Sequence, residues 1–359
     1  MCILLMYHAL GAEDDPSEPP PLQFRPGKAA KGLGGRYKLI AATNRDEFLV
    51  RPSMPMHFWE DEGVNVLAGR DLVAGGTWLG VSRCGKFAIV TNVSGWWRTL
   101  DMMQSRVRSI ANASTAMLAG AAALEIARRR NGKEGGWIET MSLLCAGLLT
   151  ASISVALAVR AKTQRSRGKL VSDFLKGTRN AQEFSAHLSR GLWRYNGFNL
   201  VLSDSSGAWV VSNQDEARVS RLPRGLYGVS NATLDHPWPK LMHGKSRFLD
   251  VLLQVASNPK LTEDALVNLL MDMLADYSLH LPPTAHSCRA RGGGKAELAR
   301  LFVPPVYSRM VGSDYATRSS TVVLVDVSGR VKVVEQNFGH GRGDDKVDAQ
   351  RNTFEFCEV

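Results

Sequence analysis

Apolar and polar positions alternate with a period near two through several short stretches of this chain, the signature of half-buried strands. Tyr37 to Thr43 is apolar enough for a fully buried strand, and the first twelve residues read as an opening strand. From Phe58 to Ser94 the pattern is that of a β-meander. Asn65 to Arg70, Thr77 to Val81 and Gly85 to Asn92 are separated by glycine-containing turns, one of them Arg83-Cys84-Gly85. The pair Gly75-Gly76 predicts a position of positive φ or a close backbone approach. Asn199 to Asp204 and Ala208 to Ser212 form a hairpin around Ser205-Ser206-Gly207, and Gly225 to Asn231 is a further strand. Thr321 to Asp326 and Val331 to Glu335 form a terminal hairpin, followed by a polar tail until Phe354 and Phe356.

The period lengthens to three and four over Leu170 to Leu175, Gln182 to Leu188, Lys245 to Val255 and Thr262 to Tyr277, which predicts helices. Strands at both ends, helices between them and many hairpins place the chain in the α+β class with largely antiparallel sheet. The length suits one large domain or two small ones, and three stretches interrupt the pattern. Residues 11–35 open with Glu13, Asp14, Asp15 and Glu18 and continue through Pro19-Pro20-Pro21, a composition that predicts a loop between the first two strands. Residues 282–312 carry Arg289-Ala290-Arg291-Gly292-Gly293-Gly294-Lys295 and predict another loop; the glycines lack the Lys-Ser or Lys-Thr spacing of a phosphate-binding loop.

The third interruption, 95–165, is long for a connection inside one domain. Thr140 to Val159 holds no charge and is followed by Arg160, Lys162, Arg165 and Arg167, so by length and flank it qualifies as a membrane span. Topology argues against that. One crossing would divide the strands before it from the helix after it, and the only candidate partner, Ala111 to Ile126, is short and contains Glu125. The expectation is a helical hairpin over 111–165, packed on the domain or associated peripherally with a membrane surface. A translated intron is the other reading.

Composition narrows the function classes. The chain has 359 residues, 44% of them hydrophobic, ample for a core. Its net charge of +10 would suit a nucleic-acid binder, but residues 98–167 alone hold eleven Lys or Arg against four Asp or Glu. The remainder is nearly balanced and carries no nucleic-acid-binding pattern, so no such partner is expected. Cys2, Cys84, Cys145, Cys288 and Cys357 are odd in number and scattered, forming neither a disulfide framework nor a metal pattern. A reducing compartment, the cytoplasm by default, follows. The apolar beginning lacks a basic n-region, so it is not read as a secretory signal.

Two stretches carry candidate chemistry. Removal of Met1, which a small second residue permits, would leave Cys2 with a thiol nucleophile and an α-amine base in one residue. The plain alternative is a small apolar residue on a first strand. Asn44-Arg45-Asp46-Glu47, with Arg51-Pro52 after it, follows an apolar run and could line a cleft at a strand end or form a solvated charged turn.

Together with Gly75-Gly76-Thr77-Trp78-Leu79-Gly80, Thr91-Asn92, Ser166-Arg167-Gly168, Tyr195-Asn196-Gly197-Phe198-Asn199-Leu200, Tyr227-Gly228-Val229-Ser230-Asn231 with Pro237-Trp238, and Thr317-Arg318-Ser319-Ser320-Thr321, these residues resemble the transport and Golgi organisation 2 family, also called NRDE after its tetrad. The resemblance implies a single domain spanning 1–359, with the four-layer αββα sandwich of N-terminal-nucleophile hydrolases and its two largely antiparallel sheets. It also implies a shared site of Cys2, Arg45, Asp46, Asn92, Asn231 and Arg318. In a catalytic reading Cys2 attacks an amide or thioester carbonyl and Asp46 orients its amine. Asn92 and Asn231 then donate to the oxyanion, while Arg45 and Arg318 lower the thiol pKa or hold a substrate carboxylate. The plain alternative for the arginines is an ion-pair network that organises strand ends.

Family membership further implies roles in Golgi organisation and secretion, intracellular haem trafficking and lipid or acyl-CoA homeostasis, with Golgi or mitochondrial association. On that reading the chain needs no cofactor and carries a small molecule, haem or lipid-like. His236, near the Asn231 strand end, is a candidate axial ligand for such a haem, although a lone histidine is more commonly a surface residue.

Overall fold

The computed structural model describes residues 2–9, 33, 35–60, 65–93, 165–214, 219–276, 315–338 and 350–358. All of these but Arg165 fall in one compact unit built from Met1–Val93 and Ser166–Val359. The expectations for 95–165 and 282–312, and for 11–35 apart from Leu33 and Gly35, lie outside the described residues. Among the described residues no helix is long and apolar enough to cross a membrane.

Thirteen described strands form two sheets whose neighbouring strands all run antiparallel. The first sheet takes β1 (Ile3–His8), β2 (Tyr37–Phe48), β10 (Gly225–Val229), β11 (Tyr315–Asp326), β12 (Arg330–Asn337) and β13 (Gln350–Cys357) in the order β10-β1-β2-β11-β12-β13. The second runs in sequence order through β3 (Ser53–Trp59), β4 (Val66–Asp71), β5 (Leu79–Ser82), β6 (Phe87–Asn92), β7 (Phe198–Asp204), β8 (Gly207–Ser212) and β9 (Val219–Leu222). Four helices accompany them: α1 (Gly168–Lys176), α2 (Ala181–Ser189), α3 (Pro239–Ser257) and α4 (Glu263–Leu274).

Because successive strand side chains face opposite ways, each sheet can bury both faces. Ile3, Leu5 and Tyr7 of β1 join Phe248, Leu252, Leu266 and Leu270 of α3 and α4 in one core. Leu4 and Met6 of the same strand join Leu79, Val81, Phe87 and Val201 of the second sheet in another. Ala88, Leu200 and Leu202 pack beneath Phe174 and Phe184 of α1 and α2 in a third. The result is an α+β sandwich of two antiparallel sheets with a helical pair packed on each.

The helices start where local chemistry dictates. Asn180 caps α2 by accepting from the Glu183 amide while Glu183 accepts from the Asn180 amide, so two otherwise orphaned donors are satisfied. Thr262 caps α4, and Glu263 and Asp264 place negative charge against its positive end.

Strand β3 starts at Ser53, five residues before the expected meander, β9 has no counterpart in the sequence reading, and three further elements differ from it. The strand expected over 37–43 continues to Phe48, carrying Asn44 to Glu47 inside β2 rather than at its end, because pairing with β11 extends to Tyr315 opposite Phe48. Strand β13 lies in the polar tail. Its outward residues Arg351, Thr353 and Glu355 are exposed, as an edge strand requires, while Phe356 is buried. Helix α3 begins at Pro239, six residues before the expected Lys245, since proline suits the first helical turn.

Candidate functional site

The alternation that builds the inter-sheet core also builds a polar end to it. Cys2 lies two residues before inward-facing Leu4, Arg45 four after Ala41, Thr91 two after Ile89, and Asn199 two before Val201. Ser319 precedes Val323 by four and Glu335 follows Val333 by two, on strands in continuous register over those positions. Arg45 and Ser319 are direct cross-strand partners, and Ser319 is likewise opposite Asn337.

Cys2 stands at the head of a strand held on both sides by β10 and β2. Its carbonyl accepts the Ser230 hydroxyl at 2.7 Å, and its Sγ lies 3.6 Å from the Asp46 carbonyl oxygen. Burial pushes the thiol pKa up; the chain's terminal ammonium and Arg45 pull the other way, while the Asp46 charge adds to the rise. The Arg45 guanidinium lies 3.9 Å over the Trp78 ring and donates to Ser53 Oγ at 3.0 Å. Burial holds it below the usual arginine range, with Cys2 and Glu47 opposing that effect. Arg167 donates to the Gly197 carbonyl at 3.0 Å and is also lowered by burial, with Glu47 and then Cys2 as the opposing influences. Among the described residues neither Arg45 nor Arg167 forms an ion pair.

Asp46 sits on the opposite face of β2. Its Oδ1 accepts from Thr317 at 2.6 Å, and its Oδ2 is 3.6 Å from the Lys240 ammonium, both side chains being essentially inaccessible. The Asp46 carbonyl accepts the Tyr315 hydroxyl at 2.9 Å, and burial raises the Tyr315 pKa far beyond its ordinary value. Asn44 shares this face, donating to the Leu274 carbonyl and accepting from Ser320. Asn231 crosses between the sheets, its amide donating to the Asn92 carbonyl at 2.6 Å. Arg318 is the extra residue where β11 slips register against β2, and one guanidinium nitrogen donates to the carbonyls of Phe48, Leu49 and Arg51, each at 3.1 Å.

The remaining motifs fasten these pieces. Arg51 pairs with Asp71 at 2.6 Å and approaches Glu47 at 3.9 Å, and the Asp71 backbone bonds to both Gly75 and Gly76. A Cβ on Gly76 would lie 2.4 Å from the Gly168 carbonyl carbon, so only glycine lets this turn meet the start of α1. Thr77 donates from its amide to the Gly168 carbonyl at 3.2 Å, which sets Arg167 beside the site.

The structure thus collects Cys2, Arg45 and Asn231 around the open end of the inter-sheet layer and places the Asp46 carboxylate on the helical side of the sheet. Arg318 holds the β2–β3 turn. Sequence reasoning assigned no role to Arg167, Trp78, Thr317, Tyr315, Lys240 or Glu335. Two of these had a signal. Lys240 is a cation in the first turn of α3, unfavourable against the helix dipole without an anionic partner, which Asp46 supplies. Glu335 continues the inward series Val331, Val333 of a buried strand.

The family model described as Transport and Golgi organisation 2 matches residues 23–112 and 108–340. The chain is 29% identical over 347 residues to the Transport and Golgi organization protein 2 homolog of Bos taurus, covering 93% of this chain and 96% of the relative. The human homolog is 29% identical over 328 residues, covering 88% and 91%. The Drosophila melanogaster Transport and Golgi organization protein 2 is 24% identical over 323 residues, covering 84% and 87%. The motifs that converge around Cys2 and the match over most of the chain lead to one conclusion: the chain belongs to the Transport and Golgi organisation 2 family.

Proposed function

We propose that this protein binds an anionic, largely apolar small molecule, haem or lipid-like, in a cleft inherited from N-terminal-nucleophile hydrolases, and that it serves intracellular trafficking and Golgi organisation in the cytoplasm or at Golgi or mitochondrial membranes. One observation carries the reading: the buried Arg45, stacked 3.9 Å over the Trp78 ring, and the partly buried Arg167 have no carboxylate paired to either among the described residues. A buried charge without a partner is costly, and a propionate, carboxylate or phosphate accepting bidentate bonds would offset that cost. Haem enters as carried ligand, not as a required cofactor, and no nucleic-acid partner is implied. The test is titration with haemin, followed by its absorbance, and with a long-chain fatty acid, followed by tryptophan fluorescence. Cys2→Ala should keep the affinity, whereas Arg45→Met and Arg167→Met should each weaken it at least tenfold. Equal affinity in all four proteins would refute the reading.

A second reading, an N-terminal cysteine amidohydrolase or thioesterase, rests on the place of Cys2 at the head of a central strand beside Arg45 and Asn231. The engagement of Asp46 with Lys240 and Thr317, on the face of β2 away from the inter-sheet layer, favours binding over this chemistry. Mass spectrometry of the purified N-terminus decides it. Retained Met1 removes the required amine, while a processed terminus with product release lost in Cys2→Ser would establish it.

A further inference from the structure

Three buried polar atoms at the polar end of the inter-sheet layer have no hydrogen-bond partner among the described residues: Asn199 Oδ1 on the second sheet, and Ser319 Oγ and Glu335 Oε1 on the first. Ser319 is 2% exposed and Glu335 0%. Burying such groups unsatisfied is costly, so their survival needs a reason. Ser319 and Glu335 lie on the inter-sheet side, one strand and two strands from Arg45 respectively. The other carboxyl oxygen of Glu335 is engaged, accepting from the Met56 amide at 2.7 Å and from Asn337 at 2.8 Å. This leaves Oε1 as the atom free to carry a proton.

We propose that the acidic head group of the ligand is seated against these unpartnered atoms, with Ser319 and Glu335 contacting it alongside Arg45, and that binding takes up one proton at Glu335. The proposal rests on the anionic-ligand reading and extends it from the arginines to these atoms. Two carboxylates in contact away from water cannot both stay ionised, so an entering carboxylate shares a proton with Glu335, drawn from the solvent. The charged or titratable groups facing Glu335 are few. Arg45 on β2 and His57 on β3 favour its ionised form, its cross-strand neighbours are Thr321 and Asn352, and Asn337 is on its own strand. Burial outweighs these influences and favours the neutral acid. A neutral acid donates from Oε1 while Oε2 keeps its two incoming bonds, so the seat presents three donors to an anion: Arg45, the Ser319 hydroxyl and the Glu335 acid.

The experiment uses the full-length protein and decanoate, which stays ionised from about pH 6 to about pH 9. Calorimetry in two buffers of different ionisation enthalpy reads proton uptake directly. For the wild type, one proton is taken up per decanoate bound above the Glu335 pKa, and affinity falls there by about tenfold per pH unit. Glu335→Gln keeps a neutral donor at the same place and should bind with no proton uptake and a flat pH profile. Ser319→Ala should retain the proton uptake but bind about tenfold more weakly, as loss of a bond to a charged group predicts. Absence of decanoate binding in the wild type at any pH would overturn both this proposal and the reading beneath it. Wild-type binding whose proton count and profile are unchanged in Glu335→Gln would overturn this proposal alone. Thermal melts confirm that each variant is folded, and Ser319→Ala supplies an independent arm should Glu335→Gln fail to fold.

Discussion

Two adjacent glycines should respond to substitution for unrelated reasons, and the contrast can be worked out from the coordinates. Gly75 has φ of +72° and nothing within 4 Å of a built Cβ, so alanine there meets only the strain of left-handed backbone, about 1 kcal/mol. Asparagine tolerates that conformation and should cost a few tenths of that (roughly 0.3 kcal/mol). Gly76 shows the reverse. Its Cβ would meet backbone at 2.4, 2.7 and 2.7 Å, on the Gly168 carbonyl carbon, the Gly168 oxygen and the Lys169 nitrogen. Backbone cannot rotate aside, so α1 must retreat by a sizeable fraction of an ångström. Overpacking of that kind costs about 1–3 kcal/mol, and straining the Thr77 to Gly168 hydrogen bond adds about 1 kcal/mol. Gly76→Ala is therefore expected to lose about 2–4 kcal/mol, and Gly76→Asn at least as much. Urea unfolding followed by tryptophan fluorescence measures all four variants. Because Arg167 moves with α1, Gly76→Ala should also weaken ligand binding while Gly75→Asn leaves it intact. Equal losses at the two positions, or an unaffected Gly76→Ala, would refute the assigned contact between the turn and α1.

Other expectations follow from single side chains. The folded protein holds the Glu335 proton to higher pH than the unfolded chain does, so it binds more protons. Stability contributed at this position therefore falls as pH rises from the ordinary glutamate value of 4.5 through the raised folded value. Glu335→Gln should remove that slope, read as a difference in melting temperature that grows from acid toward neutral pH; parallel curves would contradict it. Arg318→Met strips three carbonyls of their donor and should cost about 1–3 kcal/mol, since water reaches part of the turn. Its haemin or fatty-acid affinity should change less than threefold, and a larger loss would make Arg318 a ligand contact rather than a turn clamp.

Much of the fold was legible because both sheets bury two faces, which leaves strong period-two or continuous apolar runs such as Tyr37 to Thr43. The misses share a cause. β13 and β3 are edge strands, where exposed positions tolerate Arg351 and Glu355 in one and Pro55 in the other, so propensity fades although pairing persists. The position of Asn44 to Glu47 inside β2 depends on pairing with Ser320 to Ala316, some 270 residues away, and no local pattern reports that. The site was legible as a set of motifs, but not in its facing. Alternation alone turns Arg45 toward the inter-sheet layer and Asp46 toward α3, a distinction that required knowing the tetrad to be strand. Arg167 gained its place only through the Gly76 to Gly168 approach, a tertiary contact between distant motifs.

The central claim is that Arg45 and Arg167, which have no carboxylate partner among the described residues, receive the acidic group of a ligand. A crystal structure of the protein with bound haemin or a fatty acid tests it most directly. The account predicts an acidic group within hydrogen-bonding distance of both guanidinium groups, its inner oxygen toward Ser319 and Glu335. Ligand density elsewhere, with the two arginines instead closed onto Glu47, would contradict it.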